Sequence, residues 1–483
     1  MIPITLIINY ELYNRLKKYI YVKYISSLRY VPGPILGKMT GLYAKYYVAH
    51  GSYHTFLKEL QDQYGPVVHF APDRVMTNTK NSSDTIYGTY KYQKNGIYPS
   101  FDFGAPNIFS AIEKGAASEK KKVVGQILNS SNLKKLEPAI VQNNFLPLLK
   151  KLKELYETKG YCDINELIHQ VLFTINGQLI LSENLDLINQ DESAVPILKW
   201  FKGAQTYGVM HYEFPILKTI SGNYFGKQNY QQFIEFCKSK VQNRQKQLAK
   251  DDSLEFNDIL QSFIINSKNP MTLDELAAEV TIGFIGGTDT TANTIIWILK
   301  LLLEHPDKLD RVRKEIDQLY KDYSAEEITY ELIKKNCPYL EACISESMRL
   351  YPIAAGFLPR ITPKGGVELE GYYLPEGIEV GIGTYAYHRS NEIWENSDQF
   401  IPERFLDSSV KSNYLPFLIG PGSCAGREFA WLAMFHFLSS FLYYFDIQYY
   451  HKGATTTPYL FLVLKLKEQG MILGIKPRNE LKF

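Results

Sequence analysis

The feature that most constrains the fold of this chain is a long apolar pattern between Thr272 and Pro306. Thr272 and Glu275 stand three residues apart at its start, which is the spacing of a capping box at a helix N-terminus. Pro306 marks the end, because proline cannot continue a helix. Roughly thirty residues at about 1.5 Å each give a helix on the order of 45–50 Å long. The pattern therefore predicts a central helix that runs through the whole domain.

The middle of this predicted helix carries the run Gly286-Gly287-Thr288-Asp289-Thr290-Thr291. A glycine inside a helix costs about 1 kcal/mol relative to alanine, and threonine hydroxyls compete for the helix carbonyls. One explanation is a close helix crossing that only glycine admits. The other is a local opening that accepts a small polar molecule, with an acid and a hydroxyl beside it.

Residues 417–426 form a glycine-rich loop that contains one cysteine and is followed directly by an apolar helix. Its glycines let the backbone turn tightly, so that a flat body can lie close against it. Cys424 would stand just before the helix N-terminus, where unpaired N–H groups favour a thiolate. A thiolate that is shielded from water and surrounded by glycines is suited to be an axial ligand of iron. The alternative is a buried structural cysteine beside a turn.

Composition and charge exclude several classes of protein. The 53 basic and 51 acidic side chains nearly balance, so nothing indicates a nucleic-acid partner. The five cysteines have no CxxC spacing, which argues against a disulfide framework and a zinc site and fits a reducing compartment. An apolar content of 45% is ordinary for a globular protein with a substantial core.

Residues 1–31 form a basic and aromatic segment, and an elbow, Tyr30-Val31-Pro32-Gly33-Pro34, joins it to the rest of the chain. The leading apolar run, Met1 to Ile8, is far shorter than the roughly 18–20 residues that cross a bilayer. No small-residue cleavage site follows, so a secretory signal peptide is not expected. The segment is either an amphipathic anchor on a membrane surface or a helix packed on the domain.

Two further motifs carry little weight by themselves. Glu346 and Arg349 share one face of a predicted helix and can pair. Pro402-Glu403-Arg404-Phe405 follows later in the chain. Between them, Val367 to Tyr373 and Ile378 to Tyr387 are predicted to be short strands of a small sheet.

Taken in order, these motifs resemble those of the cytochrome P-450 family, from about Pro32 to the C-terminus. The family's haem-ligand loop spaces Phe, Gly, a basic residue, Cys and Gly. Here the matching residues are Phe417, Gly420, Cys424 and Gly426, and Gly422 stands where the basic residue is expected. The run from Gly286 to Thr291 resembles the family's oxygen-binding motif at every defined position. The family also joins a Glu-x-x-Arg helix to the arginine of a Pro-Glu-Arg-Phe segment, and both are present.

The resemblance implies a mainly α fold with a small β region, a triangular helical domain built around the long central helix. Residues 1–31 would be a membrane-associating or packing segment, and residues 32–483 a single haem-thiolate monooxygenase domain. The implied cofactor is one haem b, iron protoporphyrin IX, with Cys424 as the axial ligand of the metal. The residues expected against the haem are Phe417, Gly426, Gly286 and Gly287.

The resemblance also implies roles for other residues. Thr290 and Asp289 are the expected proton-delivery pair, in which the hydroxyl holds a water near the iron and the acid relays protons from solvent. Glu346, Arg349 and Arg404 would form a buried charge network that locks the cysteine loop in place, which is a structural role.

Two positions that normally contact the haem propionates depart from the family pattern. On the helix predicted over residues 116–128, Lys121 falls at the family's basic position, but Ala117 falls at its aromatic one. Arg360 falls where the family commonly places a guanidinium on a propionate. Because Gly422 supplies no charge, either Lys121 and Arg360 hold the propionates alone, or the haem is held more loosely than is usual.

The implied function is oxidation of a small lipophilic substrate, aromatic compounds included, with O2 as the oxidant. Electrons would come from a separate NADPH–cytochrome P-450 reductase, since no flavin or nicotinamide domain follows the matched region. The elbow resembles that of fungal microsomal members, so the expected location is the cytoplasmic face of the endoplasmic reticulum membrane, with a short or truncated anchor. The alternatives are a haem-thiolate isomerase or dehydratase that uses no O2, and a non-catalytic haem carrier or sensor.

Overall fold

The computed structural model describes residues 26–94, 96–113, 115–189, 196–213, 226–451, 457–460, 462–467 and 471–479, together with positions 13, 17 and 20. The predicted N-terminal segment 1–31 therefore lies almost entirely outside the described residues. Within the ranges described, no helix is long and apolar enough to cross a membrane.

Helices dominate the described part of the chain. In chain order they are α1 (Ile35–Met39), α2 (Leu42–Ala49), α3 (Tyr53–Tyr64), α4 (Lys80–Tyr87), α5 (Ala116–Leu128), α6 (Ser130–Ile140), α7 (Leu146–Thr158), α8 (Ile164–Leu181), α9 (Ile197–Glu213), α10 (Lys227–Lys250), α11 (Ile259–Asn266), α12 (Leu273–Glu304), α13 (Pro306–Asp322), α14 (Tyr330–Asn336), α15 (Pro338–Leu350), α16 (Thr384–Tyr387) and α17 (Arg427–Tyr444). The predicted mainly α fold is confirmed.

The strands form one mixed sheet and three smaller units. In chain order they are β1 (Val67–Ala71), β2 (Arg74–Thr77), β3 (Gln93–Lys94), β4 (Tyr161–Asp163), β5 (Arg360–Ile361), β6 (Val367–Leu369), β7 (Tyr372–Leu374), β8 (Glu379–Gly381), β9 (Phe445–Tyr449), β10 (Pro458–Leu460), β11 (Leu464–Leu466) and β12 (Ile472–Pro477). The mixed sheet has the order β1-β2-β8-β5-β3, in which β2 and β8 run parallel and the other neighbours antiparallel. The smaller units are β4-β12-β9, β6-β7 and β10-β11.

Two strand predictions need correction. Val367 to Tyr373 is a hairpin and not one strand, because Glu370 and Gly371, with φ of +52° and +77°, turn the chain between β6 and β7. Ile378 to Tyr387 contains β8, but its last four residues form the helical turn α16. The apolar residues at this end are buried by the helical turn, so alternation alone did not distinguish the two structures.

α12 is the central helix that the sequence predicts. It runs for 32 residues, which is about 48 Å at 1.5 Å per residue. The capping box is present: the Thr272 hydroxyl accepts from the Glu275 N–H, and the Glu275 carboxylate accepts from the Thr272 N–H at 2.7 Å. The helix ends at Glu304, and Pro306 opens the next helix.

α12 is buried along most of its length and packs mainly against α8. Phe173 of α8 stacks on Phe284 of α12 with ring centroids 4.5 Å apart, and Phe233 of α10 lies 6.4 Å from Phe284. Near the other end, the indole N–H of Trp297 donates to the carbonyl oxygen of Leu464 in β11 at 2.9 Å. Burying each such ring contributes roughly 1.5–3 kcal/mol, so both halves of α12 are firmly held.

The predicted elbow at residues 30–34 lies against β1. The N–H of His69 donates to the carbonyl oxygen of Pro32 at 2.7 Å. A Cβ at Gly33 would stand 2.2 Å from the carbonyl oxygen of His69, so this crossing requires glycine. The elbow therefore joins the edge of the mixed sheet.

Candidate active site

Gly286 and Cys424 have accessible surface although protein surrounds both of them. Gly286 is exposed in the middle of α12, where most neighbouring residues are buried, and a Cβ there would meet nothing within 4 Å. Cys424 is also exposed, although the protein around it encloses it closely enough to raise its pKa. Accessible surface in such enclosed surroundings indicates an internal opening.

Helix α5 joins these two places. Lys120 Nζ lies 2.5 Å from Oε1 of Glu279 on α12. The next residue, Lys121, donates from Nζ to the carbonyl oxygen of Pro421 in the cysteine loop (residues 417–426) at 2.7 Å. Glu279 and Gly286 are seven residues, or two helical turns, apart and therefore share one face of α12. Two adjacent lysines of α5 thus connect this helix to the Gly286 face of α12 and to the cysteine loop.

A short hydrogen-bonded turn closes the cysteine loop. The N–H of Cys424 donates to the carbonyl oxygen of Phe417 at 2.8 Å. Gly420 has φ of +61°, and a Cβ there would stand 2.3 Å from the carbonyl oxygen of Tyr87, so only glycine fits. Gly426 is the N-cap of α17, which follows at once. The predicted placement of the cysteine just before a buried helix is therefore confirmed.

In the protein without a metal, the pKa of Cys424 lies above its usual value. Burial raises it, and this outweighs the Gly426 N–H, Lys121 and Arg427, which lower it. The N–H of Gly426 at the helix N-terminus does favour the thiolate, as the sequence predicts, but enclosure disfavours the charged form more strongly. A bound metal ion would supply the positive charge that deprotonates the thiol.

The two glycines of α12 have different reasons to be glycine. A Cβ at Gly287 would stand 2.1 Å from Oδ1 of Asn176 on α8. Asn176 is itself fixed, since its Nδ2 donates to the carbonyl oxygen of Leu172 at 2.7 Å. Gly286, in contrast, faces open space. The close helix crossing is therefore confirmed at Gly287, whereas the open space beside Gly286 leaves room for the local opening that the sequence predicts.

Thr290 and Asp289 follow the opening by one helical turn. The Thr290 hydroxyl donates to the carbonyl oxygen of Gly286 at 2.6 Å. Asp289 is buried, and its Oδ1 accepts from Asn293 Nδ2 at 3.1 Å. Its Oδ2 has no hydrogen-bond partner among the residues that the structure describes. A buried carboxylate oxygen without a partner is uncommon and favours a functional explanation.

His169 of α8 is a site residue that sequence reasoning missed. Its Nδ1 lies 2.7 Å from the carbonyl oxygen of Asn165, which can only accept, so Nδ1 carries a hydrogen. Its Nε2 lies 3.1 Å from Asp289 Oδ1, within hydrogen-bonding distance. Burial raises the pKa of Asp289, but His169, Lys465 and Asn293 together bring it below the usual value. No motif marks His169, which stands 120 residues before its partner.

Arg360 lies beside the position at which the family's basic residue is missing. A Cβ at Gly422 would stand 3.0 Å from Arg360 Nη2. The buried guanidinium also donates from Nη1 to the phenol oxygen of Tyr98 at 2.6 Å. The glycine at position 422 therefore leaves the space that the Arg360 guanidinium occupies. Lys121 contacts the same loop from α5, and Ala117, one turn before it, is half-buried.

Glu346 and Arg349 of α15 form a fully buried bidentate pair, with Nε–Oε2 and Nη2–Oε1 distances of 2.7 and 2.8 Å. Arg404 Nε donates to Glu346 Oε1 at 3.1 Å. Arg349 Nη1 also donates to the carbonyl oxygen of His388 at 2.7 Å. The structure thus brings together the three charged residues that the sequence singled out.

His388 connects these charges to the cysteine loop. Its Nε2 accepts from the N–H of Leu415 at 3.1 Å, two residues before Phe417. Burial, together with the charges of Arg349 and Arg389, lowers the pKa of His388 to about 3. The ring is therefore neutral at physiological pH, which leaves Nε2 able to accept this hydrogen bond.

The residues around Cys424 fit a flat, anionic group that carries its own metal. Among the described residues, no cluster of three or more His, Cys, Asp or Glu could hold a metal ion. A metal at Cys424 would therefore have to bring its other ligands with it, as the iron of haem does. Glycines admit close approach, and Lys121 and Arg360 supply positive charge beside the loop. These features match a haem with a thiolate ligand.

A mainly helical fold with two adjacent glycines in its central helix, and a cysteine at the start of a buried helix, has the features expected of a haem-thiolate protein. Comparison with known families agrees, since the model of the cytochrome P450 family matches residues 31–473. The chain therefore belongs to the cytochrome P450 family, which implies a haem cofactor with a cysteine thiolate ligand.

Similar curated proteins come from fungi. Cytochrome P450 monooxygenase helB1 of Aspergillus fumigatus is 29% identical over 88% of this chain and 75% of its own length. Pisatin demethylase of Fusarium vanettenii is 26% identical over 99% and 95% of the two chains. Cytochrome P450 monooxygenase poxM of Penicillium oxalicum is 26% identical over 96% and 91%. The prediction that the chain is a P450 monooxygenase, an oxidoreductase, is confirmed.

Proposed function

We propose that Cys424 is the axial ligand and that the haem lies between the cysteine loop and the face of α12 that carries Gly286. The observation that supports this most is the pair of contacts from α5, in which Lys120 binds α12 and Lys121 binds the loop. The open side of Gly286 and the accessible surface of Cys424 are then two walls of one cavity.

The haem, when bound, supplies the activation of O2 and the insertion of one oxygen atom into the substrate. The protein binds and orients it. The carbonyl oxygen of Phe417 fixes the N–H of Cys424, and the N–H of Gly426 is directed at the sulfur, so the loop is held in a ligating geometry. Lys121 and Arg360 neutralise the propionates.

Thr290 and Asp289 deliver protons in this proposal. The Thr290 hydroxyl donates to the carbonyl oxygen of Gly286, so its own oxygen remains able to accept a hydrogen bond from a water in the opening. Asp289 lies within hydrogen-bonding distance of His169 through Oδ1 and keeps Oδ2 unpaired. It can therefore pass a proton on through one oxygen and regain it through the other. His169 acts through Asp289 and is a positioning residue.

The proposed substrate is small and lipophilic, and aromatic compounds fit best. Tyr98, Phe101 and Phe109 form an aromatic cluster, in which the Phe109 ring centroid lies 5.1 Å from that of Tyr98 and 5.7 Å from that of Phe101. The hydrogen bond between Arg360 and Tyr98 places this cluster beside the cysteine loop. Phe109 is 38% exposed, so apolar surface remains for a ligand.

The exposed surface of residues 30–46 supports attachment to the cytoplasmic face of the endoplasmic reticulum membrane. Large apolar side chains are exposed on and around α1 and α2: Tyr30, Ile35, Leu36, Met39, Leu42 and Tyr46. Such a concentration of exposed apolar surface is typical of a membrane or protein contact.

NADPH–cytochrome P-450 reductase is the proposed electron donor. It would dock beside the cysteine loop, where Lys122 on α5 and Arg427 at the start of α17 are exposed next to Lys121 and Cys424. Exposed positive charge near the electron acceptor would steer an acidic partner to this face.

The alternative functions do not require a proton relay. A haem-thiolate isomerase or dehydratase uses no O2, and a haem carrier or sensor needs no chemistry at all. The close approach of Asp289 to His169, with the Thr290 hydroxyl one turn after the Gly286 opening, favours the monooxygenase.

The test uses the full chain with a purified NADPH–cytochrome P-450 reductase. Reduced, CO-treated protein should show the absorption band of thiolate-ligated haem, and Cys424→Ser should lose it. Compounds that shift the haem spin state are then turned over under 18O2, and either the oxidised substrate or a fragment released from it should carry one 18O atom. A reaction in which neither carries 18O would indicate the isomerase or dehydratase, and a band retained in Cys424→Ser would exclude Cys424 as the ligand.

A further inference from the structure

Lys94 and Arg360 face each other across two short strands. β3 and β5 pair antiparallel with Lys94 directly opposite Arg360. Lys94 Nζ and Arg360 Cζ each lie 5.2 Å from the centroid of the Tyr98 ring. Like charges directly opposite each other destabilise a strand pair. The fold thus holds two cations together at a cost in stability.

Lys121 is the third member of this group, which we name the cationic edge (Lys94, Lys121 and Arg360). Burial, together with the charges of Arg360 and Lys121, lowers the pKa of Lys94 to about 7. Burial likewise lowers the pKa of Lys121, which Arg360 also lowers and the nearby Cys424 raises. The three cations therefore lie close enough to influence one another.

The cationic edge has no acidic partner. Among the described residues, none of its members forms an ion pair with a carboxylate, whereas the adjacent Lys120 pairs with the buried Glu279. Lys94 instead donates to the carbonyl oxygen of Phe109 at 2.8 Å. Converging positive charge without a counter-ion is the property of an anion-binding site.

We infer that Lys94 binds a haem propionate together with Arg360 and Lys121, and so supplies the charge that Gly422 does not. The inference rests on the proposed haem site and adds a residue to it. Lys121 donates to the cysteine loop and Arg360 lies beside Gly422 of this loop, so the anion belongs to the group that the loop holds. A lysine on a flexible stem suits such a contact beside the more rigid guanidinium, and a neighbouring carboxylate restores its charged form.

The rate of haem loss from the holoenzyme tests this assignment. Lys94→Met keeps the apolar stem and removes the charge, whereas Lys94→Arg keeps the charge. Lys91→Met is the matched control, because Lys91 is exposed on the same segment. Transfer of haem to excess apomyoglobin should be about tenfold faster, or more, for Lys94→Met. It should stay near the wild-type rate for Lys94→Arg and Lys91→Met.

Haem dimethyl ester separates a propionate contact from a packing effect. Esterification removes both carboxylates, so wild type and Lys94→Met should lose the ester at the same rate. Equal loss of ordinary haem from the two proteins would overturn the inference, and so would a Lys94→Met effect that persists with the ester. A wild-type chain that binds no haem would instead overturn the proposed haem site, which keeps the two failures distinct.

Discussion

His169 Nε2 and Asp289 Oδ1 lie 3.1 Å apart inside the protein, within hydrogen-bonding distance. His169 Nδ1 lies 2.7 Å from the carbonyl oxygen of Asn165, so both nitrogens of the ring have a partner. The ring is therefore fixed beside a carboxylate whose second oxygen, Oδ2, has no partner among the described residues.

The first prediction concerns the variant His169→Phe, which should raise the pKa of Asp289. Burial raises the pKa of this carboxyl, and the hydrogen bond and charge of His169 are the main influences that lower it. Without His169 the carboxyl stays protonated to higher pH, so the acid limb of the pH profile of coupling should move upwards. The measurement is product formed per NADPH oxidised, between about pH 5.5 and 8.5.

His50→Phe is the control for this variant, since His50 is an exposed histidine away from the site. His169→Gln, which keeps a hydrogen-bonding side chain, should recover part of the wild-type profile. An unchanged acid limb in His169→Phe would show that His169 only fills space.

Thr290→Ala should keep its haem and lose coupling. The hydroxyl makes a local hydrogen bond to the carbonyl oxygen of Gly286, so its removal disturbs no contact between helices. Without it the opening loses the group that positions a proton-bearing water, and hydrogen peroxide should rise about tenfold or more relative to product. Peroxide, product and NADPH are measured in the same reaction.

Thr294→Ala is the matched variant for that experiment. The Thr294 hydroxyl makes the same kind of bond, to the carbonyl oxygen of Thr290 at 2.8 Å, but the residue is buried one turn further on. We expect its coupling to remain near wild type. Equal coupling in both variants would remove Thr290 from the proton path.

Glu346→Ala should destabilise the protein strongly. It leaves Arg349 fully buried without its carboxylate, a change that costs about 3–5 kcal/mol. The N–H of Ile401 also loses an acceptor, at 3.0 Å. His388 connects Arg349 to Leu415, which precedes the cysteine loop. Haem content should therefore fall together with the urea midpoint.

Asp84→Ala provides the comparison for Glu346→Ala. Its pair with Lys80 is a helical i,i+4 contact in α4, and the two side chains are 50% and 41% exposed. Such pairs contribute about 0.5 kcal/mol or less. If the two variants showed the same urea midpoint, the buried network would not have the structural role that the sequence predicts.

Local patterns account for what the sequence predicts correctly, and long-range pairing for what it misses. The apolar period, the capping box and the spacing of the glycines are encoded within short segments, and they yield α12 and the cysteine loop. His169 and Lys94 gain their roles from Asp289 and Arg360, which approach them only after helices pack and strands pair. The pKa of Cys424 also depends on distant segments, because the enclosure that they create outweighs the local helix terminus.

Gly286 and Gly287 are adjacent, yet alanine should have opposite effects at the two positions. Gly287→Ala would place its Cβ 2.1 Å from Asn176 Oδ1. Asn176 cannot move away without losing its hydrogen bonds to the carbonyl oxygen of Leu172 at 2.7 Å and to the Thr288 hydroxyl at 3.2 Å. We expect a loss of about 1–3 kcal/mol in the free energy of unfolding.

Gly286→Ala meets no atom within 4 Å and gains helix propensity of roughly 1 kcal/mol, so the stability of the holoenzyme should hold or rise. Its methyl group would nevertheless narrow the opening proposed to lie over the haem. CO association with the reduced protein should therefore slow in Gly286→Ala, while urea denaturation shows no loss of stability. An unchanged CO association rate would mean that this opening does not lead to the haem, and a stable Gly287→Ala would mean that α8 and α12 tolerate a wider crossing.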